Sequence, residues 1–117
     1  LRGDISLEME INNLESNKGP IYIRILDENE NPVIVGTSPV INYSAEISFD
    51  SISPGKYAIQ FFHDENENQK MDFNLIGIPK EKFGSSNNVK PVLGPPKFEK
   101  MLFNLTENKK IIMIPVN

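Results

Sequence analysis

Apolar and polar residues alternate with a period of two along much of the chain. Ile5, Leu7, Met9 and Ile11 alternate with Ser6, Glu8 and Glu10. That spacing is a strand with one buried face, because successive side chains of extended backbone point to opposite sides. Ile21, Ile23 and Ile25 alternate with Tyr22, Arg24 and Leu26 and predict a second strand. The polar run Asp27–Pro32 then reads as a turn, since Asn and Pro favour turn geometry. A short third strand is expected over Val33–Val35, and a fourth over Ala45–Phe49. Ile52-Ser53-Pro54-Gly55 predicts a turn in which Pro54 pre-sets φ and Gly55 supplies a positive φ.

Tyr57, Ile59 and Phe61 face one way and Ala58, Gln60 and Phe62 the other. With near-apolar residues on both faces, this strand is expected in the middle of a sheet. From His63 to Lys97 no period is sustained, and Gly77, Pro79, Gly84, Pro91, Gly94, Pro95 and Pro96 interrupt regular structure. Phe73, Leu75, Ile76, Ile78 and Phe83 within it predict an ordered loop folded onto the domain. Met101, Phe103 and Leu105 resume a strand, and Thr106–Lys109 reads as a hairpin turn. Ile112, Ile114 and Val116 are expected to close the core, with Ile111 and Met113 on the opposite face. No stretch keeps helical spacing. The pattern predicts a single-domain, all-β, antiparallel sandwich of about seven strands over residues 1–117, with one long loop at 63–97.

Composition narrows the function. The 117 residues suffice to bury a core without disulfides or metal. The absence of cysteine excludes a disulfide scaffold, a Cys-ligated zinc site and a thiol nucleophile. A net charge of −4 with both signs scattered argues against nucleic acid and against an anionic membrane surface. No apolar run is long enough for a membrane span. The chain opens at Leu1, as a mature form freed of a signal peptide would.

The long loop carries the candidate chemistry. Asp64, Asn66, Asn68, the backbone carbonyl of Lys70 and Asp72 place oxygens at alternate positions, as a tight loop around a calcium ion requires. Gln69 occupies the place of the sharp-turn glycine and Leu75 that of the bidentate glutamate. Any calcium affinity is therefore expected to be weak, ~10⁻⁴–10⁻³ M. The competing reading is an Asx-rich turn whose side chains bond nearby backbone. His63 is the single histidine. It is expected to donate a hydrogen bond that pins the loop to the strand end; a general-base role would need an oriented partner. Ser86, Asn87 and Asn88 are candidate ligand-binding residues, for sugar hydroxyls among others, or they serve the loop by bonding backbone. No G-x-S-x-G elbow is present.

Phe62-His63-Asp64 through Asp72, then Gly77-Ile78-Pro79-Lys80-Glu81, Phe83-Gly84-Ser85-Ser86-Asn87-Asn88 and Gly94-Pro95-Pro96-Lys97-Phe98 follow in order. Together with Ser53-Pro54-Gly55-Lys56-Tyr57-Ala58, this run closely resembles the bacterial domain-of-unknown-function family 2141. The sequence departs from the family pattern at Glu67 and Gln69, where glycine is usual, and at Met101, where a small residue is common. The resemblance implies a secreted or periplasmic protein with an immunoglobulin-like or transthyretin-like sandwich. It implies no activity.

Three functions follow as expectations. The first is a non-catalytic extracytoplasmic binding or accessory module of the bacterial envelope, with an envelope protein or glycan as partner and calcium as an optional ligand. The second is a structural or surface protein-interaction domain. The third, ranked last, is a hydrolase using His63.

Overall fold

The computed structural model describes residues 5–65 and 81–116. Among them the order is β1 (Ile5–Ile11), β2 (Ile21–Asp27), β3 (Pro32–Ser38), β4 (Ala45–Ile52), β5 (Gly55–His63), β6 (Phe83–Ser85), β7 (Phe103–Leu105) and β8 (Lys109–Met113). Short 3₁₀ turns lie at Ser86–Asn88 and Phe98–Lys100. No described residue is in an α-helix. The strands form two sheets, one ordered β4-β1-β8 and one ordered β3-β2-β5-β6, with β7 also paired to β5.

One apolar core lies between the sheets. Leu7, Met9, Ile11 and Met113 come from the three-stranded sheet, and Ile21, Ile23, Ile25, Ile59, Phe61 and Leu105 from the other. Apart from Met113, these are the inward positions of the period-two pattern. Their burial drives the two layers together at roughly 25 cal/mol per Å² of apolar surface removed from water. As expected, β5 is central, with β2 on one side and β6 and β7 on the other.

Several expectations are corrected. The sheets are not wholly antiparallel, because β8 pairs parallel to β1. Thr106–Lys109 is therefore not a hairpin turn: β7 belongs to the larger sheet and β8 to the smaller, so the chain crosses between layers there. The faces of β8 are also reversed. Met113 is buried and Ile111 packs on the core, while Ile112 is 55% exposed. Every position from Ile111 to Ile114 is apolar, so alternation alone cannot assign its inner face.

At Ser53–Gly55 the positive φ is not at Gly55; it falls earlier, at Ser51, with φ 63°. Ser51 belongs to a bulge, where the register shifts between the pairs Ile5–Ile52 and Leu7–Phe49. The Tyr57 hydroxyl closes the turn by donating to the Ser53 carbonyl at 2.7 Å. Strand β3 runs over Pro32–Ser38, longer than the three residues expected. The 63–97 stretch contains regular structure, namely β6 and the 3₁₀ turn at Ser86–Asn88.

Candidate functional site

The end of β5 is where the candidate residues begin. Ile21 pairs with His63 across the sheet. That register brings the β1–β2 connection, residues 12–20, over the strand end. Asp64 N–H donates to the Pro20 carbonyl at 2.9 Å, and His63 N–H to the Lys82 carbonyl at 2.8 Å. Gly19 makes the approach possible. Its φ is +73°, and a Cβ there would overlap the Asp64 carbonyl oxygen, so glycine is required on both counts. Further contacts hold the same corner. Ser16 donates its hydroxyl to Glu65 at 2.7 Å, and the Lys82 ammonium lies 3.2 Å from the Glu15 carboxylate.

His63 is completely buried, and its Nε2 lies 2.6 Å from the Lys18 carbonyl oxygen. A carbonyl only accepts, so Nε2 carries the proton and donates it. The ring thus ties the 12–20 connection to the end of β5. Nδ1 is buried too, with no hydrogen-bond partner among the described residues. Asp64 is likewise fully buried. Of the calcium-loop positions only Asp64 falls within the described residues; Asn66, Asn68, Lys70 and Asp72 lie outside them. Among the described residues no three carboxylate, imidazole or thiol side chains converge where they could hold a metal.

The second group, Ser86, Asn87 and Asn88, sits on the other side of β5. Strand β6 pairs with β5 at Gln60–Phe62 and β7 pairs with it at Gly55–Tyr57. Ile59 falls in the gap between them. Its N–H donates to Ser86 Oγ at 2.9 Å, and the same hydroxyl donates to the Met101 carbonyl at 2.6 Å. A fully buried serine therefore replaces a missing strand partner. Leaving such an N–H unpaired would cost about 1–3 kcal/mol. Asn87 Nδ2 donates to the Lys100 and Leu102 carbonyls at 3.0 and 3.1 Å. Asn88 Oδ1 accepts the Ile114 N–H at 3.1 Å. Asn87 and Asn88 both have positive φ, 64° and 48°, which Asn tolerates better than most residues. Gly84 fits under this junction because a Cβ there would come within 2.6 Å of the Phe61 ring.

Among the described residues the candidates fall into two separate groups. His63 and Asp64 lie under the β1–β2 connection, while Ser86, Asn87 and Asn88 bond the backbone around β5, β7 and β8. Sequence reasoning missed Gly19, whose place in the Lys18-Gly19-Pro20 turn was its one visible signal. A shallow surface depression lies elsewhere, on the outer face of the three-stranded sheet, and Glu8, Glu10, Glu46 and Lys110 help to line it. There Asn12 Nδ2 donates to Glu10 at 2.8 Å and the Lys110 ammonium stands 3.3 Å away. The Asn12 bond first, then Lys110, hold the Glu10 carboxyl below its ordinary range, and Glu10 raises Lys110 in turn.

No curated protein matches the chain. A family profile described as an uncharacterized protein conserved in bacteria matches residues 9–113, from β1 to the end of β8, and so spans both groups of candidate residues. The chain therefore belongs to the bacterial domain-of-unknown-function family 2141.

Proposed function

We propose that this domain is a non-catalytic binding or accessory module of the bacterial cell envelope, acting outside the cytoplasm on an immunoglobulin-like or transthyretin-like sandwich. The observation that carries the reading is the commitment of His63. Its ring is fully buried and bonded to the Lys18 carbonyl, whereas a general base must reach the proton that it removes. Ser86 is as fully committed, to Ile59 and Met101. What these residues do is hold backbone in place, His63 tying the 12–20 connection to the end of β5 and Ser86 joining Ile59 to Met101, and binding loops work on such rigid supports.

The Asp64–Asp72 segment is the binding element of this reading, with calcium as its ligand. Thermal melting of the whole chain in calcium and then in chelator is the test. A ligand that binds only the native state raises Tm once it exceeds its Kd. Millimolar calcium should therefore raise Tm by a few degrees, and the paired substitutions Asp64→Ala and Asp72→Ala should abolish the rise. Identical melts in calcium and chelator would remove calcium from the reading. If those substitutions also left every measured partner unchanged, the loop would lose its binding role.

One observation favours a second reading, a protein-interaction domain. Among the described residues strand β3 is the free edge of the larger sheet and shows Val33 and Val35 to solvent, the latter 72% exposed. It carries no charged residue of the kind that usually blunts such edges. Val35→Lys should abolish any concentration-dependent association seen in sedimentation. A wild-type chain that stays monomeric at high concentration would argue against self-association through this edge.

A further inference from the structure

We propose that residues 89–97 form a tip that docks reversibly on an anionic lipid surface. The proposal needs neither calcium nor the 64–72 loop and survives the failure of either. At its apex Val92 and Leu93 are 76% and 106% exposed. Leu93 has φ 56° and Gly94 φ 144°, and a Cβ at Gly94 would meet nothing within 4 Å. The chain reverses there, in open space. Leucine is disfavoured in the left-handed region, so this apex combines a strained backbone with an unburied apolar side chain.

The tip is held rigidly at its base. Asn87 bonds the Lys100 and Leu102 carbonyls, which joins the two ends of the loop. Met101 is buried. Pro91, Pro95 and Pro96 fix φ along both arms. Little ordering is left to be done on binding, which favours affinity.

Charge selects the occupant. The chain as a whole carries −4, yet residues 89–100 contain three lysines (Lys90, Lys97 and Lys100) and one acid, Glu99. All three lysines are exposed. Among the described residues the ion pairs are Lys82–Glu15 and Lys110–Glu10, and none of the three takes part in one. An apolar apex flanked along the chain by exposed lysines is complementary to an anionic lipid surface. Val92 and Leu93 would enter the boundary of the acyl chains while the lysines meet headgroup phosphates. The acidic remainder of the chain is repelled by the same surface, so contact is restricted to this end.

The test is co-sedimentation of the whole chain with vesicles of phosphatidylglycerol and phosphatidylethanolamine, against vesicles of phosphatidylcholine alone. Binding is expected to the anionic vesicles, and it should weaken with salt as screening shortens to about 10 Å at 0.1 M. Lys90→Ala and Lys97→Ala should each lower the partition coefficient about fivefold. Leu93→Ser should lower it about tenfold or more. The chain has no tryptophan, so Leu93→Trp is a background-free reporter. Its indole emission should shift to the blue on anionic vesicles and be quenched by brominated acyl chains. Melting temperatures of all variants should match the parent, since the apex packs on nothing. No binding at low salt, a Leu93→Trp emission that stays that of indole in water, or lysine and Leu93→Ser variants that bind like the parent would each overturn the proposal. Capture of a soluble protein by the apex without vesicle binding would overturn it in favour of a protein partner.

Discussion

Two adjacent segments of this chain invert the usual division between inside and outside. At Ser86–Asn88 the residues are polar and the first is completely buried. At Val92–Leu93, a few positions on, the residues are apolar and lie open to solvent. The difference lies in what the neighbouring backbone needs. Between β6 and β7 the central strand has an N–H, that of Ile59, with no strand to receive it, so a hydroxyl is worth more there than a methyl group. Beyond Asn88 the chain turns away from both sheets, and no described layer covers Leu93. Polar residues in such a loop are thus structural mortar, and apolar residues are the free surface.

Substitutions can break or sharpen this contrast. Ser86→Ala should have the largest effect, because it strands both the Ile59 N–H and the Met101 carbonyl. A loss of about 3 kcal/mol is expected, from ~1–3 for each buried group left unpaired, read as a lower urea midpoint at constant m-value. A loss below about 1 kcal/mol would mean that water or a shift of β7 replaces the hydroxyl.

Asn87 separates hydrogen bonding from backbone conformation. Asn87→Gly keeps the positive φ and loses two side-chain bonds, for about 1 kcal/mol. Asn87→Ala loses the bonds and adds the left-handed penalty, for about 2 kcal/mol. Equal effects in denaturant titrations would show that the φ of 64° is relaxed at little cost.

Leu93→Asn should stabilise the fold slightly, by up to about 1 kcal/mol, since the fully exposed side chain gives up no packing and Asn accepts the positive φ that leucine resists. A clear destabilisation in the same titrations would show that the apex is covered, which ends the contrast with Ser86.

The smallest effect is expected on the outer face of the three-stranded sheet. Glu10 titrates below its ordinary value there, chiefly through Asn12 and then Lys110. A carboxyl with a depressed folded pKa adds stability that is complete above the unfolded pKa and lost as pH falls through the folded one. The sign is therefore a slight loss on acidification below the ordinary glutamate range. In an NMR titration, Asn12→Ala should raise the Glu10 pKa further than Lys110→Ala does. The reverse order would place the ion pair first.

Alternation was enough to locate β1, β2, β4 and β5, because in each of them one face meets the core and the other meets water or a second layer. The centrality of β5 was also legible, from apolar residues on both faces. At the site, His63 was legible as a hydrogen-bond donor at the strand end, but its 2.6 Å contact is to Lys18 in the β1–β2 connection and not to the 63–97 loop that it was expected to pin. Its acceptor was hidden, since a backbone carbonyl carries no sequence signal. Ser86 was legible as a residue that bonds backbone, but its target was not, because the gap at Ile59 exists only once β6 and β7 have both docked.

By itself, then, the sequence determined the class of structure, most of its strands and the residues that carry polar chemistry. These follow from local rules, the two-residue repeat of extended backbone and the bonding habits of Ser, Asn and His. Only the tertiary structure decided that β8 lies parallel to β1, which face of Ile111–Ile114 is inside, and that Ser86 is buried while Leu93 is not. Those outcomes depend on which distant segments meet, and pairing partners are selected by packing and backbone satisfaction across the whole fold rather than within any one stretch of chain.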